Sequence, residues 1–246
     1  MTAVRPAATD LSEVMLRPVR GHHAFESCVE QLATVIRLGV FPRGSTLPNE
    51  RDLAERLGVS RATLREAMAA LREAGLVETT RGRGGGTVVT MKPSTPAAKA
   101  ASRISARQRA EWIDALDFRR IVEPGATWLL ASQDIDAEQV HDLLVAHEAV
   151  ANAKSRAAHR KADSRFHLTI ASLTGSSRLI EAVTSVQGTL HEMLSAIPML
   201  PRNIDHSHAQ HSHILQAVLD HDPASARRVM EEHCDDTAAL LRGLLT

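Results

Sequence analysis

The chain has 246 residues, of which 43% are hydrophobic and only 2% aromatic, so its cores must be packed mainly by aliphatic side chains. This length suggests one large domain or two modest ones. No stretch approaches the run of about 18 apolar residues that a membrane span needs, and no signal peptide is predicted. The two cysteines, Cys28 and Cys234, are too few for a disulfide framework, and a reducing cytoplasm is expected.

The formal net charge is zero, but the charge is unevenly distributed along the chain. Residues 1–92 contain 13 Lys and Arg against 10 Asp and Glu, a net charge of +3. Residues 93–246 contain 16 against 19, a net charge of −3. A basic first part agrees with nucleic-acid binding there, although so modest an imbalance supports that function without predicting it alone.

Breaks in the sequence pattern divide the chain into four segments. Residues 1–20 show no clear period and are predicted to be an N-terminal arm. Residues 21–90 have the pattern of helices followed by a hairpin, whereas residues 106–246 have helical period throughout. Between these, residues 91–105, MKPSTPAAKAASRIS, combine prolines with small polar residues and are predicted to be a linker.

Three short helices and a hairpin are predicted in the first domain. Apolar residues at spacings of three and four indicate the first helix at 24–38. Asn49 and Ser60 are residue types that cap helix N-termini, and a glycine between them can end the second helix in the left-handed conformation. Two short β-like runs, 76–80 and 87–90, flank a cluster of glycines.

This order of elements is that of a winged helix-turn-helix, whose third helix enters the major groove of DNA. Arg61, Thr63 and Arg65 lie in the first turns of that helix and are predicted to face the groove. There an arginine can bind guanine with two hydrogen bonds. Ser60 and the free backbone N–H groups at the helix start suit a phosphate.

Three further arginines are predicted to contact the DNA backbone. Arg51 lies on the second helix, and Arg81 and Arg83 lie among the glycines of the wing, which permit a close approach. The alternative is that all these arginines are solvated charges on an ordinary pair of helices. The agreement of caps, turn, arginine positions and wing favours DNA binding.

The segment LPNERDLAERLGVSRATLREAMAALREAGLV, followed by RGRGGGTVV, resembles the DNA-binding domain of GntR-type bacterial transcription regulators. The resemblance covers nearly all of residues 20–90 and implies binding to double-stranded operator DNA. It assigns the DNA contacts to seven residues: Arg51, Ser60, Arg61, Thr63, Arg65, Arg81 and Gly82.

The remainder of the chain is predicted to be an all-helical bundle. Its helices are expected near 107–132, 136–152, 155–174, 177–197, 203–221 and 223–244. The first of them could break in two near residue 113, which gives six or seven helices. The predicted fold is therefore mostly α, with a winged helix-turn-helix joined to this bundle.

Four polar residues lie on the apolar faces of three of these helices. Asp163 and His167 are four residues apart on one helix, and His211 and His233 follow on two later helices. Buried groups of this kind are costly unless they are paired. They are either hydrogen-bonded within the core or ligands of one divalent metal, for which imidazole and carboxylate are suitable. The residue pattern alone leaves both interpretations open.

The segments FRRIVEP, ADSRFHLTI and HSHILQAVLDHDPASARRVMEEH resemble the FCD effector domain of the FadR-type branch of the GntR family, over roughly residues 105–240. In its metal-containing members an Asp-x-x-x-His helix and single histidines on two later helices hold the ion. The resemblance therefore implies a metal site formed by Asp163, His167, His211 and His233. Zinc is the expected ion, with nickel, cobalt or manganese as alternatives.

Arg119 matches the arginine of the family's Arg-x-x-hydrophobic-Glu-Pro segment. The resemblance implies that Arg119 binds a carboxylate of the effector near the metal by a bidentate contact. The alternative is an ion pair with Glu123, four residues on, or with Asp114 or Asp117.

These expectations combine into a cytoplasmic transcription regulator, a repressor, that binds an inverted-repeat operator as a homodimer. Its predicted signal is a small carboxylate or sugar acid that coordinates the metal. The alternative is a metal-sensing regulator, in which the ion itself is the signal. An enzyme is not expected, because no separate general base has a convincing position near the metal site, and no membrane partner is expected.

Overall fold

The structure is a computed structural model of the chain. It describes residues 16, 18–19, 24–37, 40–80, 86–91, 104–197 and 201–245. The chain divides into two compact units, Met1–Thr95 and Pro96–Thr246, which we call the N-terminal unit and the helical unit. Most of the predicted arm, residues 1–20, and of the predicted linker, residues 91–105, lies outside the described residues. None of the helices in the described ranges is long and apolar enough to cross a membrane.

The N-terminal unit contains three helices, α1 (Ala24–Arg37), α2 (Glu50–Leu57) and α3 (Arg61–Glu73). Both predicted caps are confirmed, since the Asn49 side chain accepts from the backbone N–H of Asp52 and the Ser60 side chain from that of Thr63. Gly58 ends α2 in the left-handed conformation, with φ of 64°. The apolar faces of the three helices are buried, and they include Phe25, Val29, Leu32, Leu53, Leu57, Leu64, Met68 and Leu71.

A two-stranded antiparallel hairpin follows α3 and gives the fold its wing. Strand β1 (Val77–Thr79) pairs with β2 (Thr87–Val89) so that Val77 lies opposite Val89. Val77 and Val89 are 1% and 0% exposed, so this pair anchors the base of the hairpin in the apolar core. The tip of the wing, residues 81–85, is outside the described residues.

The helical unit confirms the prediction of an all-α bundle, with six helices among its described residues. They are α4 (Ala106–Ala131), α5 (Ala137–Ala151), α6 (Arg156–Leu173), α7 (Ser177–Ala196), α8 (Pro201–Leu219) and α9 (Pro223–Leu245). The break suggested near residue 113 is wrong, because α4 is one continuous helix of 26 residues. Its buried face includes Trp112 and Leu116, so packing on both sides of residue 113 supports a single helix.

The core of the helical unit is built from aliphatic residues of five helices, with one phenylalanine. Its members include Leu130, Leu143, Val150, Phe166, Ile170, Ile214, Val218, Val229 and Met230. Full burial of a side chain of this size contributes about 1.5–3 kcal/mol relative to exposure. Against this apolar background, a group of buried polar side chains from α4, α6, α7, α8 and α9 marks a candidate site.

Candidate metal centre, effector cavity and DNA-binding surface

Three of the predicted DNA-contacting arginines lie on the exposed surface of the helix-turn-helix. Arg61 and Arg65 are exposed one turn apart at the start of α3, and Arg51 is exposed in the first turn of α2. Arg65 Nε donates to the Arg61 carbonyl at 3.4 Å, and Arg51 Nε lies 3.3 Å from Asp52 Oδ1. All three guanidinium groups are accessible to phosphates or base edges.

Ser60 and Thr63 together form the N-terminal cap of α3. Ser60 Oγ accepts from the Thr63 N–H at 3.0 Å, and the two hydroxyl oxygens are 2.8 Å apart. Ser60 is exposed, whereas Thr63 is only 6% exposed. Thr63, which the sequence predicts to contact DNA, is therefore placed to hold the Ser60 hydroxyl in position at the helix start.

The two predicted contacts on the wing, Arg81 and Gly82, lie outside the described residues. The described part of the wing is its base, where the Thr80 N–H donates to the Gly86 carbonyl at 3.0 Å. This pairing brings the two ends of the glycine-rich segment together, as a hairpin wing requires.

Three buried imidazoles converge in the helical unit, and we call them the histidine trio: His167 on α6, His211 on α8 and His233 on α9. Each offers one ring nitrogen, and the three nitrogens lie within 4.8 Å of one another. The residues are 2%, 0% and 2% exposed. The Nε2 atom of each ring is buried and has no hydrogen-bond partner among the described residues. Three buried imidazoles with ring nitrogens this close, and with an unpartnered Nε2 on each ring, fit a metal ion that they coordinate together.

A hydrogen-bonded chain fixes the orientation of the His233 ring. His233 Nδ1 lies 3.0 Å from Gln210 Oε1, and Gln210 Nε2 donates to Asp236 Oδ2 at 2.6 Å. Because the Gln210 oxygen can only accept, Nδ1 carries the proton and Nε2 keeps its lone pair. Outer contacts of this kind are typical of histidines that bind metals.

Glu123 on α4 lies within ion-pair distance of His167 and is the centre of a buried polar network. His167 Nδ1 lies 3.0 Å from Glu123 Oε2, and Gln187 Nε2 donates to Glu123 Oε1 at 2.6 Å. Burial alone would raise the pKa of Glu123, but the charge of Arg119 and the contacts with His167 and Gln187 hold that pKa well below its usual range. Glu123 thus lies as a carboxylate beside a candidate metal ligand, an arrangement typical of histidines that bind metals.

The protonation state of two members of the histidine trio, His211 and His233, suits metal binding. Burial lowers the pKa of His211 and of His233 well below the ordinary value, and neighbouring imidazoles and Arg119 lower it further. Both rings are therefore neutral in neutral solution, which is the form in which imidazole binds a metal.

Asp163, the fourth predicted ligand, lies beside the histidine trio. It is 8% exposed, and its Oδ1 is 3.7 Å from His211 Nε2. One ring nitrogen from each of the three histidines lies within 4.8 Å of the other two, and Asp163 is not part of this group. Asp163 also lines the adjoining cavity, so its carboxylate is accessible to whatever occupies that cavity.

Arg119 makes an ion pair with Glu123 through Nε, and its other two guanidinium nitrogens have no partner among the described residues. Arg119 Nε donates to Glu123 Oε2 at 3.0 Å, and the two side chains are 1% and 2% exposed. Arg119 Nη1 and Nη2 are buried and have no partner among the residues that the structure describes. Those two atoms form the edge of a guanidinium that can bind a carboxylate in bidentate fashion. Asp117, another suggested partner, is 3.1 Å from Arg242 instead.

A cavity of about 50 Å³ adjoins these groups. Arg119, Asp163 and His233 contribute polar groups to its lining, and five side chains make an apolar wall: Leu190, Leu194, Ile197, Ile204 and Leu240. One water needs about 10–15 Å³, so the cavity has room for several waters or for a small organic molecule. An apolar pocket with a few converging polar groups is the usual form of a small-molecule site.

Sequence reasoning selected the four candidate ligand residues and missed most of the groups that contact them. Glu123 was considered only as a partner of Arg119, although it also contacts His167. Gln187 carried a usable signal, because it stands on the buried face of α7 among Val183, Val186 and Leu190. A lone amide on an apolar stripe indicates a buried hydrogen-bond partner.

Comparison with known proteins places both units in described families. The sequence model of the FCD domain matches residues 114–236, and that of the bacterial regulatory proteins of the gntR family matches residues 25–89. The first match includes Arg119 and the histidine trio, and the second includes the helix-turn-helix.

Three relatives match over most of their length. RmpR of Mycobacterium gastri, named as an HTH-type transcriptional regulator, is 32% identical over 210 residues, which are 85% of this chain and 76% of the relative. The Glc operon transcriptional activator of Escherichia coli strain K12 is 28% identical over 220 residues, 85% of either chain. The HTH-type transcriptional repressor NanR of Klebsiella aerogenes is 26% identical over 242 residues, 93% of this chain and 89% of the relative.

All three relatives are transcription regulators, which agrees with the expectation that the chain is not an enzyme. The chain belongs to the GntR family of bacterial transcription regulators, with a helix-turn-helix DNA-binding domain followed by an FCD effector-binding domain.

Proposed function

We propose that this regulator is a repressor that responds to a small organic acid bound to a divalent metal in the helical unit. The observation that carries the proposal is the arrangement around one cavity. His233, Asp163 and Arg119 line it, and the remaining two rings of the histidine trio lie within metal-binding distance of His233.

The metal ligands of this proposal are the histidine trio, each through Nε2, together with Asp163. Three neutral imidazoles and one carboxylate suit zinc, and also nickel, cobalt or manganese. On an octahedral ion four protein ligands leave two positions, which supply a Lewis-acidic site for oxygens of a bound acid. Glu123 and Gln210 hold His167 and His233 with their Nε2 atoms free for the ion.

Arg119 supplies the second contact for the acid. Its Nη1 and Nη2 atoms have no protein partner among the described residues, and Arg119 borders the cavity. Glu123 holds Nε and so fixes the plane of the guanidinium. A carboxylate that lies between this edge and the metal is therefore bound in one orientation.

The DNA-binding part of the proposal assigns roles by exposure. Arg61 and Arg65 reach base edges in the major groove, while Arg51 contacts the phosphate backbone. Ser60 binds a phosphate at the start of α3, and Thr63 positions it. Arg81 and Gly82 contact the DNA from the wing.

Two copies of the chain would bind an inverted repeat, because a two-fold symmetric protein matches a two-fold symmetric site. An apolar stripe on α4 supports a homodimer. Phe118, Ile121 and Trp128 lie on one face of this helix and are 43%, 72% and 46% exposed. A second copy would cover this stripe and remove its apolar surface from water. Binding of the acid must then favour one arrangement of the dimer, since equal affinity for two states shifts neither.

The test begins with operator DNA selected from random sequences by the zinc-loaded, full-length protein. DNA binding is then titrated with and without a panel of short carboxylates and sugar acids. At least one acid is expected to weaken DNA binding by the wild type and by the control variant Arg107→Gln, in which an exposed residue of α4 is changed. The same acid should have no effect on Arg119→Gln or on chelator-treated protein. An acid that acts equally on Arg119→Gln, or without metal, would contradict the proposal.

The histidine trio also supports a second candidate function, that of a metal sensor. One nitrogen from each ring lies within 4.8 Å of the other two, so an ion could bind there without an acid. If zinc alone, titrated through a buffered free concentration, switches DNA binding while every acid is inert, the ion itself is the signal.

A further inference from the structure

A second cationic group lies on the cavity wall, one helical turn from the metal ligands. His159 and Arg160 precede Asp163 on α6 by four and three residues, and both line the cavity with Asp163 and Arg119. His159, Asp163 and His167 therefore share one face of α6 at spacings of four. The rise between the His159/Arg160 pair and Asp163 is about 5–6 Å along the helix axis.

Both residues of this pair have a polar atom that the protein leaves unpartnered. His159 Nε2 and Arg160 Nε are buried and have no hydrogen-bond partner among the described residues. Among those same residues no carboxylate forms a salt bridge with Arg160, in contrast to Arg119, which is paired with Glu123. A buried polar atom without a partner is costly, so these two atoms indicate a ligand group. Arg160 Nε can only donate, and His159 Nε2 donates in the tautomer that carries its proton there, so an acidic group can accept from both.

The charges around the cavity point to a ligand with two negative charges. Asp163 is the acidic residue of the described lining, and the Arg119–Glu123 pair is neutral as a whole. A divalent ion on the histidine trio and the guanidinium of Arg160 outweigh the single charge of Asp163. One carboxylate between the metal and Arg119 leaves a positive charge at Arg160, and a second acidic group balances it.

The apolar wall limits what joins the two acidic groups. Leu190, Leu194, Ile197, Ile204 and Leu240 form the apolar part of the lining, and Asn203, Ser207 and Thr237 add three uncharged polar side chains. Against the apolar part a polyol chain would lose hydrogen bonds to water, whereas a short hydrocarbon chain would not.

We infer that the effector is a short-chain dicarboxylate, with one carboxylate at Arg119 and the metal and the other at Arg160 and His159. This inference rests on the proposed function and selects one class from the acids that the proposed function allows. Arg160 is then the residue that distinguishes a dicarboxylate from a monocarboxylate of the same length.

The test is calorimetric titration of the zinc-loaded, full-length protein with succinate and glutarate. Succinamate, in which one carboxylate of succinate is replaced by an uncharged amide, is the matched ligand, and gluconate represents the sugar acids. We expect succinate or glutarate to bind the wild type about tenfold or more tightly than succinamate, as a charge-assisted contact predicts. Equal affinities, or tighter binding of gluconate than of either dicarboxylate, would overturn the inference.

Three variants assign the preference to Arg160. Arg160→Gln should weaken dicarboxylate binding by about tenfold and leave succinamate binding within about twofold, while Arg160→Lys should retain part of the preference. Arg165→Gln changes an exposed arginine on the same helix and should behave as the wild type. Equal weakening of both ligands by Arg160→Gln, or the same loss in Arg165→Gln, would overturn the role of Arg160.

The outcomes also separate this inference from the proposed function. If succinamate and succinate bind equally well, and both need Arg119 and zinc, the proposed function stands but the effector has no second acidic group. If no acid binds the zinc-loaded wild type, both the dicarboxylate inference and the proposed function are wrong.

Discussion

The residues of the DNA-binding surface on α3 lie close together in the sequence, whereas those of the candidate metal centre lie far apart in it. On the helix-turn-helix, Ser60, Thr63 and Arg65 belong to one cap and the first turns of one helix. In the helical unit, five helices contribute to the site, and Glu123 contacts Cys234 across 111 positions of sequence. Local structure arranges the first surface, whereas the packing of the whole bundle arranges the second.

This difference determines how each region should respond to change. A cap or an exposed arginine acts through its own contacts, so its removal has a limited and local effect. Members of the buried network share partners, since Glu123 contacts Arg119, His167 and Gln187 together. Changes in such a network are not additive and extend to residues on other helices.

The largest expected effect tests whether the ion stabilises only the helical unit. Chelation of zinc-loaded protein should lower the thermal midpoint of that unit, since a ligand at about 100 times its Kd contributes about 2.7 kcal/mol. Scanning calorimetry of the full chain should show the transition of the N-terminal unit unchanged. His233→Asn should abolish the effect of zinc, whereas His213→Asn, at an exposed position of α8, should retain it. Zinc stabilisation that survives in His233→Asn would show that the ion binds elsewhere.

Glu123→Gln tests whether the buried network supports the metal from outside its ligand set. Loss of the carboxylate beside His167 should weaken zinc binding by about 10–100-fold, the usual effect of removing such a partner. The measurement is competition with a zinc-binding dye. Glu111→Gln, at an exposed position of α4, serves as the control and should bind zinc as the wild type does. Unchanged zinc affinity in Glu123→Gln would mean that His167 does not need this contact.

Arg65→Ala tests the local character of the DNA-binding surface. It should weaken binding to the selected operator by about 1–3 kcal/mol, the usual contribution of an arginine that binds a base. Zinc affinity should not change. Arg72→Ala, at the far end of the same helix, is the matched control and should cost less. Identical titration curves for Arg65→Ala and the wild type would refute the role of Arg65 in base recognition.

Ser60→Ala should have the smallest effect and sharpens the same comparison. Removal of the cap on α3 should lower the free energy of unfolding of the N-terminal unit by about 1 kcal/mol. Urea denaturation followed by circular dichroism measures this change, and the transition of the helical unit should stay where it is. Ser45→Ala, at an exposed turn of the same unit, provides the control. A shift of both transitions would indicate that the two units do not unfold independently.

Much of the fold could be predicted because its signals are local. The caps at Asn49 and Ser60 and the left-handed Gly58 were predicted from residue type and are present. The suggested break near residue 113 was wrong, because the spacing of apolar residues does not show which side chains pack against neighbouring helices. Trp112 and Leu116 are both buried on one uninterrupted helix. The burial of Thr63 likewise depends on packing, since its position in the first turn did not predict that only 6% of the residue is exposed.

The sequence indicated the candidate ligand residues of the site but not the groups that surround them. Asp163, His167, His211 and His233 stood out because polar residues on apolar faces need partners. Which partners they have depends on the neighbouring helices. Gln210 contacts His233, and Arg160 has an unpartnered Nε on the cavity wall, and neither fact follows from a single helix.

The sequence by itself determined the order of helices, the two classes of surface and the residues able to bind DNA or metal, because caps, period and residue chemistry act over a few positions. The tertiary structure alone decided which polar groups meet. It brought one ring nitrogen from each member of the histidine trio within 4.8 Å of the others. It also paired Arg119 Nε with Glu123 and left Arg119 Nη1 and Nη2 without a partner among the described residues. The physical reason is that burying a polar group costs free energy unless a partner lies opposite it, and segments far apart in the sequence supply that partner.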